Sequence, residues 1–288
     1  MRLATIQTAT GPRLHALIDD TLVDLSDAAP ALEGVVDVGT LLRAGDEAWA
    51  AAQGLVEDGA PGRPRLDPAT ATFCSPVLAP GKILCIAMNY VQHAEEGPED
   101  LPEHPLIFAK FTSSLTAHGA PVCLPPATEQ VDWEGELAFV IGAAASAVGR
   151  DDAMRHVAGY TIVNDLTARD VQFGDGQWTR GKSFDGFCPL GPYFVSADEV
   201  PDPRALRLQT LVNGTVRQDV LIDEMVHDIP RIVEYVSESI TLQPGDVIAT
   251  GTPAGCALGL EQPDYLKPGD EVDVTITGLG TLKTPITA

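Results

Sequence analysis

Apolar and polar positions alternate from Met1 to Leu25, interrupted at Thr10-Gly11-Pro12 and Asp19-Asp20, and this period of two predicts a meander of short antiparallel strands. Between Asp37 and Glu57 the spacing changes. Leu41, Leu42, Trp49, Ala52 and Leu55 recur at helical intervals, before the run Gly59-Ala60-Pro61-Gly62-Arg63-Pro64 breaks any regular element. The breaker suggests a small amino-terminal α+β domain, residues 1–72, ahead of a larger domain, residues 73–288.

In the larger part, buried or alternating runs predict strands at Lys82–Ala87, Leu106–Phe111, Gly135–Gly142, Gly159–Asn164, Tyr193–Ser196, Leu206–Val212, Asp246–Thr250 and Glu271–Thr277. Helical spacing is confined to Asn89–Glu96, Ala153–Ala158 and Met225–Ser239. With 27 Gly and 23 Pro punctuating short strands, the expected fold is a β-rich α+β one and not a doubly wound βαβ sheet. No internal repeat or low-complexity tract is present.

Composition narrows the function. Lys and Arg number 18 against 41 Asp and Glu, a formal net charge of −23, so the summed field repels nucleic acid and anionic membranes. A small anionic substrate then needs a local positive focus, either a metal or a few placed cations. The five cysteines are scattered and odd in number, which fits a reducing cytosol better than a disulfide framework. No apolar run approaches the ~20 residues of a membrane span, and the amino terminus lacks a leader pattern. A cytoplasmic protein with no membrane partner is expected.

Three segments carry candidate chemistry. In Asp132-Trp133-Glu134-Gly135-Glu136-Leu137, strand alternation points Glu134 and Glu136 to one face and Trp133, Leu137, Phe139 and Ile141 to the other. Two adjacent anions entering an apolar strand are costly without a cation between them. Asp165 follows another apolar strand, and three carboxylates with no Cys or His suit a hard cation, Mg²⁺ or Mn²⁺ with Ca²⁺ as a further candidate. In the second segment His93 and Glu96 are three apart, so on a helix Glu96 orients one ring nitrogen and leaves the other as a base. The third, Gln177 to Asp185, reads as a polar, turn-rich loop that carries one of the few lysines, Lys182. A surface carboxylate pair, an ordinary helix and a solvated lysine are the plain alternatives for the three.

Two competing motifs fail. Gly176-Gln177-Trp178-Thr179-Arg180-Gly181-Lys182-Ser183 fits the phosphate-loop pattern, but no strand is expected before it, and the prolines and glycines after it forbid the helix that must follow. No nucleophile elbow G-x-S-x-G occurs.

Taken together, the segments resemble the fumarylacetoacetate hydrolase family. Asn89-Tyr90 with His93 and Glu96, Glu134-Gly135-Glu136-Leu137, Gly159 to Asp165 with Thr167-Ala168-Arg169-Asp170 and Gln172, Lys182-Ser183-Phe184-Asp185 with Pro189-Leu190-Gly191-Pro192, and Gly245 to Pro253 carry the resemblance, over about residues 73 to 288. It implies a mixed β-sandwich roll in a homodimer. It further implies that Glu134, Glu136 and Asp165 bind a divalent metal, that His93 and Glu96 activate water with Lys182 in the site, and that Gln172 and Thr252 hold a 2-oxo acid substrate.

The expected reaction is hydrolysis of a C–C bond in a 2,4-dioxo acid of acylpyruvate or fumarylpyruvate type, through a metal-stabilised pyruvate enolate. Oxaloacetate decarboxylation, or isomerisation of 2-oxo dicarboxylates, is the alternative on the same metal site. The acidic, proline-rich stretch from His93 to Pro105 is expected to act as a lid.

Overall fold

A computed structural model describes residues 1–96 and 101–288. The predicted meander forms as Arg2–Thr8, Gly11–Ile18 and Thr21–Asp24, with Asp19 and Asp20 both at positive φ in a two-residue hairpin turn. The sheet does not stop at the expected domain boundary. Arg2–Thr8 pairs with Cys188–Ser196, so residues 1–72 extend the large sheet of the remaining chain.

That sheet runs from the amino-terminal strands through Cys188–Ser196, Val157–Asn164, Gly135–Ile141 and Val247–Ala249 to Ile83–Ala87 and the edge strand Leu106–Lys110. A second, five-stranded sheet has the order Thr215–Leu221, Arg207–Val212, Glu271–Ile276, Gly280–Thr287, Val122–Cys123. Leu137, Phe139 and Ile141 pack with Leu208, Val272, Val274 and Leu282 between the sheets. The opposite parity of the same strand, Ala138 and Val140, packs with Val38, Leu41, Ala48 and Ala52 of two amino-terminal helices. The fold is thus a β-rich sandwich with a helical layer on one face, and its central strands are buried on both sides.

Several elements differ from the sequence expectation. Gly45, at φ 89°, splits the helical segment into Val38–Ala44 and Asp46–Glu57. The last helix starts only at Ile229, where the Asp228 side chain accepts from the Arg231 amide and Pro230 occupies the first turn. Ala153–His156 is a single 3₁₀ turn, and the chain enters a strand at Val157. Gly280–Thr287 and Thr215–Leu221 are strands the pattern did not announce, the second because it is largely exposed.

The segment around Lys182 is corrected most. It is not a polar loop: Trp178–Lys182 is a short helix with Gly181 and Lys182 buried. Another helix, Arg169–Asp175, precedes it and the strand Cys188–Ser196 comes next, so the phosphate-loop match lacks its strand-before, helix-after context.

Candidate active site

The strand register assembles the carboxylates. Gly135 lies opposite Asn164 in the antiparallel pair Gly135–Ile141 and Val157–Asn164, so one step beyond the ladder Glu134 faces Asp165. The Asp165 amide donates to the Glu134 carbonyl at 2.8 Å. Glu136 is one residue inside the ladder, and its carboxylate accepts from the Gly251 amide at 2.8 Å, at the end of the neighbouring strand Val247–Ala249. Gly135 separates the two glutamates because the second sheet leaves no room there: a Cβ would lie 2.2 Å from Thr210 Oγ1.

Carboxylate oxygens of Glu134, Glu136 and Asp165 lie within 4.8 Å of one another, and all three residues are buried. Their surroundings separate them electrostatically. Burial, Asp165 and Glu134 push Glu136 well above the usual carboxylate range. Burial also opposes ionisation of Glu134, but Lys182 and Arg169 outweigh it and hold that carboxylate down at about 2. Three oxygen donors of like charge, one of them reluctant to ionise, fit a hard divalent cation, which would remove the repulsion.

Lys182 faces this set. Its Nζ donates to Glu134 Oε2 at 2.6 Å and Asp165 Oδ2 at 2.8 Å, and lies 5.0 Å from the centre of the Phe108 ring. His93 and Glu96 lie on the short helix Val91–Glu96, which follows the strand Ile83–Ala87. His93 Nδ1 is 2.9 Å from Glu96 Oε2, and Glu96 Oε1 accepts from the Gly255 amide at 2.8 Å. Asn89 fixes the entry to this helix, donating to the carbonyls of Thr250 and His227 and accepting from the His227 amide.

The cleft between these groups opens to solvent and is walled by Phe108, Phe173, Trp178 and Leu258. All of the expected site residues line it except Glu96, which stands behind His93, and Asp165, which stands behind Lys182. Gln172 accepts from Arg169 Nη1 at 3.1 Å. The Thr252 hydroxyl donates to the Gly135 carbonyl and accepts from Gln218, so its proton is already committed within the protein.

The sequence assigns no role to three charged residues of the site. Lys110, buried, donates to Asp165 Oδ1 at 2.5 Å, to the Leu166 carbonyl and to the carbonyl of Lys182. Arg169 Nε donates to Asp132 Oδ2 at 2.8 Å, and its Nη2 is 2.7 Å from Glu134 Oε1. Asp132 is itself fixed by the amides of Trp133, Ala257 and Leu258. A signal existed for Lys110: it is one of five lysines in the chain and ends an otherwise apolar strand. The proposed lid falls partly outside the described residues, at 97–100. Beyond it, the His104 ring stacks on Tyr235 with centroids 5.5 Å apart.

Compared with known proteins, residues 82–287 match the fumarylacetoacetate (FAA) hydrolase C-terminal family model. The chain belongs to the fumarylacetoacetate hydrolase family. Within it, the chain is 43% identical over 221 residues to the mitochondrial oxaloacetate tautomerase FAHD2A of Bos taurus, covering 76% of this chain and 70% of that protein. It is 45% identical over 216 residues to the oxaloacetate tautomerase YisK of Bacillus subtilis, covering 74% and 72%. Among solved structures, the maleylpyruvate hydrolase of Sphingobium sp. SYK-6 in complex with manganese(II) and pyruvate superposes with a TM-score of 0.80 at 31% identity, covering 100% of this chain and 99% of that one. The chain is therefore an enzyme of the fumarylacetoacetate hydrolase superfamily, and its β-rich α+β fold is the one the sequence predicts. No helix among the described residues is long and apolar enough to cross a membrane.

Proposed function

We propose that this protein is a divalent-metal-dependent tautomerase that interconverts the keto and enol forms of oxaloacetate or a closely similar 2-oxo dicarboxylate. The observation that carries the reading is the His93–Glu96 pair at the mouth of the buried carboxylate set, in a chain 43% and 45% identical to two oxaloacetate tautomerases. Glu134, Glu136 and Asp165 would hold Mg²⁺ or Mn²⁺, the second being the ion bound by the Sphingobium hydrolase. A divalent cation supplies Lewis acidity toward the keto oxygen and carboxylate of a 2-oxo acid.

His93 takes a proton from the substrate methylene, the C–H electron pair moves through the new C=C bond toward the keto oxygen, and the proton is returned there to give the enol. Glu96 holds the ring in one orientation through its contact with Nδ1. Lys182 offsets charge on the oxygen: two of its three N–H donors are taken by Glu134 and Asp165, and among the described residues no hydrogen-bond acceptor takes the third. Arg169 beside Gln172 adds to the positive focus that an anionic substrate needs against a net charge of −23.

This reading departs from the hydrolysis that the sequence favoured. Activating water is one use of the dyad, but the same base moves a proton between carbon and oxygen with no water consumed, so the dyad does not select hydrolysis. C–C bond hydrolysis of an acylpyruvate remains the second reading, supported by the likeness to the maleylpyruvate hydrolase. The test is a side-by-side assay with Mg²⁺ or Mn²⁺. Enol-oxaloacetate should lose its enol absorbance faster than in buffer, without forming pyruvate, and His93→Ala should lose the acceleration. Rapid release of pyruvate from acylpyruvates, with no effect on oxaloacetate tautomers, would establish the hydrolase instead.

A further inference from the structure

Cys256 lies against the site and has no part in the reaction above. It is fully buried, and its Sγ, a ring nitrogen of His93 and a carboxylate oxygen of Glu134 lie within 4.8 Å of one another. We propose that His93, Glu134 and Cys256 form an inhibitory site for a borderline-soft divalent cation of the zinc class, separate in donor chemistry from the oxygen-only set with which it shares Glu134.

Nitrogen, sulfur and carboxylate donors select zinc-class ions, whereas three carboxylates select magnesium or manganese. Zinc bonds of about 2.0–2.3 Å in a tetrahedron place donors roughly 3.4–3.7 Å apart, so the three groups need to close by little more than an ångström. Two features favour that closure. With Nδ1 donating to Glu96, the other ring nitrogen of His93 carries its lone pair outward, and Glu96 is pinned by the Gly255 amide; a carboxylate behind a histidine is the support that metal-bound histidines commonly have.

The second feature is the setting of the sulfur. Among the described residues its hydrogen-bond contacts are long, 3.6 Å from Gln218 Nε2 and 3.9 Å from the Pro253 carbonyl. Asp132, Glu134 and Glu96 give it anionic surroundings, which a bound cation answers. On binding, the thiol proton leaves to solvent, and the thiolate and the His93 lone pair both go to the metal. The base is then occupied. Inhibition, unlike binding, rests on the proposed role of His93.

Co²⁺ added to the metal-free protein tests the site directly. A near-ultraviolet sulfur-to-cobalt charge-transfer band is expected in the wild type. It should be displaced by one equivalent of Zn²⁺, lost in Cys256→Ala and diminished in His93→Ala. No band in the wild type, or a band that persists in Cys256→Ala, overturns the proposal. Should Cys256→Ala not fold, Cys256→Ser is expected to lose the band in the same way. In Mg²⁺-dependent tautomerisation, the Zn²⁺ concentration for half-inhibition should rise at least tenfold in Cys256→Ala. A wild-type band without inhibition would keep the metal site and remove His93 from the base role, so the two readings fail separately.

Discussion

Glu134 and Glu136 are two residues apart and have opposite electrostatic fates, because their partners come from different parts of the fold. Glu134 meets Lys182 and Arg169 and stays ionised; Glu136 meets burial, Asp165 and Glu134, which push its pKa up. Metal uptake then competes with the proton for Glu136. Below its raised pKa the metal-free site is protonated, so affinity for Mg²⁺ should fall as pH falls, by up to about tenfold per pH unit. Glu134, held at about 2, contributes nothing to this dependence near neutrality. Calorimetry in buffers of different ionisation enthalpy is expected to show proton release on metal binding that grows as pH falls. Affinity unchanged with pH and no proton release would remove Glu136 from the ligand set.

At the scale of elements, the site lies where four strand ends meet. The carboxyl ends of Ile83–Ala87, Val247–Ala249 and Val157–Asn164 and the amino end of Gly135–Ile141 converge, because the first two strands are parallel and the last two antiparallel. Backbone contacts from the following loops then tune individual side chains. Glu96 is the clearest case: a Cβ on Gly259 would stand 2.2 Å from its carboxylate. Gly259→Ala should push Glu96 off His93 and cost roughly 100-fold in tautomerisation, with Mg²⁺ affinity within about twofold of wild type, since the carboxylate trio is untouched. Equal losses of metal binding and activity would show instead that the loop supports the trio. The lid expected over residues 93–105 belongs to this scale. Amide exchange on residues 101–105 should slow when oxalate and Mg²⁺ are added together and not with either alone.

For the whole molecule, charge is the governing property. A chain of net charge −23 repels a dicarboxylate at a distance, while Lys182 and Arg169 attract it only within the cleft. Salt screens the distant repulsion more than the buried attraction. The kcat/KM for oxaloacetate should therefore rise between low and about 0.15 M ionic strength, most of the change appearing in the capture step. A fall over that range would mean that the local focus governs encounter. The large sheet is the second whole-molecule property. Residues 1–72 contribute Leu3, Leu14, Val38 and Leu41 to the same apolar cluster as Ala138 and Val140 of the strand that follows Glu134, so the amino-terminal region helps to fix the site's central strand.

The sequence by itself determined the strands that carry the carboxylates, the helical turn that pairs His93 with Glu96, and the family. These are short-range properties: side-chain alternation and three-residue spacing are written within a few residues, and the motifs that accompany them lie in the same segments. Tertiary structure decided what those groups meet. Lys110 reaches Asp165 across 55 positions, Asp132 takes amides from residues 125 and 126 positions away, and Cys256 comes beside His93 only when the loop after Val247–Ala249 folds back over the sheet. Lys182 read as loop because Gln177 to Asp185 is polar and glycine-rich; it is buried because Glu134 and Asp165 offer its ammonium the charge that pairs it. Long-range pairing of buried charges depends on which strands close against one another, and no local pattern encodes that closure.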